Sequence, residues 1–95
     1  MRNVVILAYH RVLPERRGSL SVRTADFERQ LAFFLERGYE PMTVGGLWEH
    51  HLRHGASPDR RTLVVTLDDG YRDNYVHAFP ILRRLGIRPT IFLVT

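Results

Sequence analysis

Ninety-five residues, 44% hydrophobic and 25% charged, set the limit at one small globular domain and exclude a disordered chain. The absence of cysteine excludes both a disulfide framework and a thiolate metal site. The formal net charge of +4 rests on fourteen arginines and no lysine, scattered without interleaved aromatic residues, so nothing here resembles a nucleic-acid platform.

The first apolar run, residues 4–8, is too short for a signal-peptide core or a bilayer span. As written, the chain is therefore expected to be cytoplasmic, with no membrane segment. The β-branched character of this run predicts a first strand over Val4–Tyr9, ending at Tyr9-His10. A loop through Pro14 and Gly18 follows. Thr24 is expected to cap a helix whose first turn holds Asp26 and Glu28. Phe27, Leu31, Phe34 and Leu35 share one face of that helix, and Gly38 is its stop.

A short strand is predicted over 39–42, weakened by Pro41. Thr43 caps a second helix that runs to His54 and stops at Gly55. Its apolar stripe is Val44, Leu47, Trp48 and Leu52, so Trp48 is expected in the core and His51 half-buried beside it. A third strand is predicted over 62–67. Asp73 or Asn74 can then cap a helix ending at Leu85 before Gly86, with a kink or a late start at Pro80. Residues 90–94 are the last strand. This βαβαβαβ order predicts an α/β fold of parallel-stranded βαβ units with right-handed crossovers. No helix follows to cover the last strand, and parallel sheets need both faces covered. Residues 1–95 therefore read as one partial domain cut after Thr95, with self-association expected through the uncovered strand.

The chemistry concentrates at Thr66-Leu67-Asp68-Asp69-Gly70-Tyr71. Successive strand side chains point to opposite faces, so two adjacent carboxylates reach one site only if the strand ends there and the backbone turns. Gly70 permits that turn. Two carboxylates at a strand tip can divide the work, one holding a cation and the other moving a proton. The competing reading is a solvated Asp-Asp-Gly turn. Parallel strands put their C-terminal tips on one side, so Tyr9-His10 and Asp68-Asp69 are expected to share a face.

These residues, with Asp73-Asn74-Tyr75, Phe79-Pro80-Ile81-Leu82, Gly86-Ile87 and Thr90-Ile91-Phe92-Leu93-Val94, resemble the polysaccharide deacetylase family, the NodB-homology fold. Ala8-Tyr9-His10-Arg11-Val12 looks like the start of its exopolysaccharide N-deacetylase branch. The family usually has Phe where this chain has Leu67, an apolar exchange. The resemblance implies about the first half of an irregular (β/α) barrel and hydrolysis of N-acetyl groups from an amino-sugar polymer. It implies Asp68 as general base and Asp69 as ligand to a divalent metal, zinc first, with cobalt, nickel or manganese as alternatives. The two histidine ligands and the general acid would lie beyond Thr95, so these 95 residues are expected to be inactive alone. His10 is the candidate substrate or second-layer contact at the tip, and Tyr71 could line a sugar groove.

His50 and His54 stand four apart on the second helix, where one face can hold a metal, but no glutamate follows His50 and the metalloprotease pattern fails. Exposed helix histidines are the plainer reading. Two rival functions remain from other classes. One is a glycan-binding or inactive fragment that needs a partner. The other is an Asp-pair magnesium phosphohydrolase, which lacks the expected Gly-rich phosphate cradle.

Overall fold

The computed structural model describes residues 3–15, 18, 21–56, 58–68 and 74–92, the side chains of 74 and 75 excepted. In chain order the elements are β1 (Val4–Tyr9), β2 (Arg11–Leu13), β3 (Ser21–Arg23), α1 (Thr24–Glu36), β4 (Glu40–Pro41), α2 (Val44–His54), β5 (Thr62–Asp68), a π-helical turn (Asn74–Ala78), α3 (Phe79–Leu85) and β6 (Thr90–Phe92). The first and third predicted strands, both later helices' glycine stops and the late start at Pro80 are all present. Pro80 lies in the first turn of α3, where a missing N–H costs nothing.

β5 is the axis of the sheet. β1 pairs along one of its edges in parallel, from Val4 opposite Thr62 to Tyr9 opposite Leu67. The other edge is shared end to end. β4 pairs with Thr62 and Leu63, and β6 pairs with Thr66, Leu67 and Asp68. Both partners are parallel to β5, as the βαβ order predicted.

Alternation along β5 separates two faces. Leu63, Val65 and Leu67 face the helices and pack with Phe27 and Leu31 of α1, Ile81 and Leu82 of α3, and Ile87. Phe27 and Leu31 are fully buried, each contributing about 1.5–3 kcal/mol of transfer free energy. The opposite face carries Thr62, Val64, Thr66 and Asp68, beside Val4, Ile6 and Ala8 of β1.

Three expectations need correction. Thr24 does not cap α1; it is the first helical residue, and extended Arg23 precedes it without a side-chain cap. The reason is that Arg23 is still paired with Leu13, which keeps the chain extended one residue longer. That pairing belongs to a small parallel sheet of β2 and β3, in a stretch the sequence presented as a loop. Three-residue strands are too short to show a period. Finally, α2 is capped as expected, with Thr43 Oγ1 accepting the Gly46 N–H at 3.0 Å, but none of its residues is buried. Trp48 is 61% exposed and Leu52 65%. His51 is exposed too, its ring stacked on Trp48 at 6.0 Å. An apolar stripe requires a facing surface, and α1 and α3 already occupy the helix face of the sheet. α2 instead meets β6 at its own start, where the Val44 N–H donates to Thr90 Oγ1 at 3.0 Å.

The predicted last strand is present over Thr90–Phe92, with Ile91 and Phe92 exposed. Residues 93–95 lie outside the described residues.

Candidate active site

Register decides what meets at the sheet's C-terminal end. Tyr9 lies opposite Leu67, so the next residues, His10 and Asp68, leave the two strands side by side. Both fall on the face turned away from the helices. His10 Nε2 stands 3.8 Å from Asp68 Oδ2, and both side chains are about one-third exposed (37% and 30%). That separation exceeds a hydrogen bond, so the two groups are neighbours rather than a closed pair. A water or a substrate atom can reach the carboxylate.

The residue before His10 is anchored in the core. Tyr9 turns into the core, edge-on to Phe27 with ring centres 4.7 Å apart. Its hydroxyl donates to Gln30 Oε1 at 2.7 Å. Burial pushes the Tyr9 phenol up to about 12, so it stays protonated and keeps that donor. The tip of β1 is thus tied to α1. Sequence reading missed Gln30, although it stands one helical turn after Phe27, where it shares that residue's side of the helix.

Of the four predicted site residues, the structure brings His10 and Asp68 together. Asp69 and Tyr71 lie outside the described residues. A carboxylate and an imidazole are donors a divalent ion accepts. Two are too few, and among the described residues no group of three or more His, Cys, Asp or Glu side chains could hold a metal. An open groove of about 940 Å³ runs along α3 and its exit turn, lined by Phe79, Leu82, Ile87 and Arg88, and includes neither His10 nor Asp68.

No protein-family model matches the chain. Individual relatives do. YxkH of Bacillus subtilis, described as a polysaccharide deacetylase, is 33% identical over 94% of this chain. The poly-β-1,6-N-acetyl-D-glucosamine N-deacetylase of Escherichia coli K12 is 36% identical over 83%. Among solved structures, IcaB from Ammonifex degensii superposes with a TM-score of 0.80 at 32% identity, over 96% of this chain. The chain belongs with the NodB-type polysaccharide deacetylases. The Streptococcus pyogenes deacetylase PplD, solved in complex with acetate, gives the same NodB fold with a TM-score of 0.81 at 25% identity. The chain spans 31% of the Bacillus protein and 12% of the E. coli one. It covers 38% of the IcaB chain and 42% of the PplD chain. What matches is therefore part of each relative's length, and in this chain it includes the parallel sheet that carries Asp68.

Proposed function

We propose that this chain supplies the general base and one metal ligand of a deacetylase acting on an N-acetylated amino-sugar polymer. The observation that supports this reading most is the position of Asp68 at the C-terminal tip of the central parallel strand, beside His10 at 3.8 Å. In α/β sheets of this kind such tips are where sites are built. The names of the relatives support the same chemistry. One acts on poly-β-1,6-N-acetyl-D-glucosamine, and another deacetylase was solved with acetate, the acid that N-acetyl hydrolysis releases.

In this reading Asp68 accepts the proton of the water that attacks the acetamide carbon. His10, held by the Tyr9 anchor, limits where the Asp68 carboxylate can point and meets the sugar or the incoming water. Asp69 would hold a divalent ion, zinc by the family resemblance. Such an ion, when bound, supplies Lewis acidity toward water and the amide carbonyl. Tyr71, next in the turn, lines the sugar groove. The remaining ligands and the acid that protonates the leaving amine come from residues outside these 95, which makes residues 1–95 one partial domain, inactive alone.

Acetate release from N-acetylglucosamine oligomers tests this. The expected result is none from the 95-residue chain, and chelator-sensitive release once the chain is continued by its downstream sequence. Release from the 95 residues alone would overturn the shared-site reading. Self-association is proposed through β6, whose only paired neighbour among the described residues is β5. Its exposed Ile91 and Phe92 favour a second sheet edge. Sedimentation at micromolar concentration should show oligomers that Phe92→Lys dissolves.

A further inference from the structure

The last turn of α2 carries a feature the deacetylase reading leaves unused. His50 and His54 are one turn apart, and their rings approach to 4.4 Å between centres, tilted by 43°. From the sequence alone these were exposed helix histidines. Two details of the structure alter that reading.

The first is the ring approach itself. Two nitrogens bound to one ion at about 2.0–2.1 Å stand about 3 Å apart, and rings with centres at 4.4 Å can present nitrogens at that spacing. The second is the state of His50. Its Nδ1 lies 3.2 Å from the Ala56 carbonyl oxygen, just past the end of the helix. A carbonyl oxygen only accepts, so this contact is a hydrogen bond when Nδ1 carries the proton. A neutral His50 then presents Nε2 as a lone pair. Metal-binding histidines are commonly oriented this way, by donating their other nitrogen to a carbonyl.

The surroundings allow a cation. Gly55, left-handed at φ 69°, closes the helix there, and the C-terminal end of a helix favours positive charge. On the same helix Arg53 and Glu49 pair with each other at 2.7 Å. His51 points elsewhere, onto Trp48.

We propose that His50 and His54 form a two-imidazole site for a divalent transition-metal ion, separate from the β5 tip. Imidazole pairs suit copper, nickel and zinc over magnesium or calcium. No third His, Cys, Asp or Glu joins the pair among the described residues, so water fills the remaining positions and the ion exchanges readily. The site is a clip across the last turn of α2 and its Gly55-Ala56 exit, and it does not depend on the deacetylase reading.

Calorimetric titration of the 95-residue chain with nickel chloride should show one ion per chain. His50→Ala and His54→Ala should each weaken binding at least tenfold, while His51→Ala on the same turn leaves it unchanged. Asp68→Asn also leaves it unchanged, which separates this site from the β5 tip. Zinc titration of the unaltered chain, followed by imidazole NMR, gives a readout independent of any substitution. The His50 and His54 signals should move together, with His50 Nδ1 still protonated. No nickel binding, binding that survives both alanine changes, or shifts confined to His10 or His51 would each overturn the proposal.

Discussion

The β5 tip and helix α2 carry equally clear sequence patterns, and the fold treats them in opposite ways. β5 is an apolar run of the kind buried in parallel sheets, and six of its seven residues are buried. α2 has a cap at Thr43, a left-handed stop at Gly55 and an amphipathic stripe, and buries none of its eleven residues. Caps and stops are satisfied within a few residues of chain. Burial needs a partner surface, and for β5 three strands and two helices supply it. Local pattern therefore specified both elements, while packing singled out one. Asp68 is the last residue of that packed strand.

The largest expected contrast is catalytic. In the proposed deacetylase, Asp68→Asn should lower turnover by on the order of 10²–10⁴ and spare metal binding, whereas Asp69→Asn should lose metal and turnover together. Calorimetry beside acetate release checks both. Metal lost from the first variant and kept in the second would reverse the two roles.

Core substitution should separate the regions next. Leu31, fully buried against β5, should cost about 2–5 kcal/mol when changed to Ala, read from urea unfolding. A cost below about 1 kcal/mol would mean that α1 is not packed on the sheet.

The Tyr9 anchor sharpens the comparison through pH. Its pKa is raised by burial from 10.0 to about 12 in the folded chain. Below pH 10 both folded and unfolded chains keep the proton, so the stabilisation is whole. As pH rises from 10 to 12 the unfolded chain ionises first, and on the order of 2 kcal/mol is lost. Tyr9→Phe should flatten stability over that window, measured by denaturant midpoints at pH 9.5, about 11 and about 12. An unchanged slope would place Tyr9 in water.

The smallest expected effects are on α2. Trp48→Ala and Leu52→Ala should each shift stability by less than about 0.5 kcal/mol, because both side chains are more than half exposed. A loss of about 2 kcal/mol or more in either would show that the stripe is covered in solution.

Sequence alone determined the strand and helix periods, the glycine stops at Gly38, Gly55 and Gly86, the Thr43 cap and the parallel order of the units. Each of these depends on residues a few positions apart, where backbone sterics and local hydrogen bonds act. It also marked Asp68 and His10, because parallel strands bring their C-terminal ends to one side. Tertiary structure alone decided the register that sets those two side chains 3.8 Å apart. It also decided the β2–β3 pairing that displaced the start of α1, the Tyr9–Gln30 bond behind the tip, and the exposure of Trp48. These outcomes turn on which surfaces come within reach of one another. A run of side chains can state that it is apolar, but what covers it depends on residues distant along the chain.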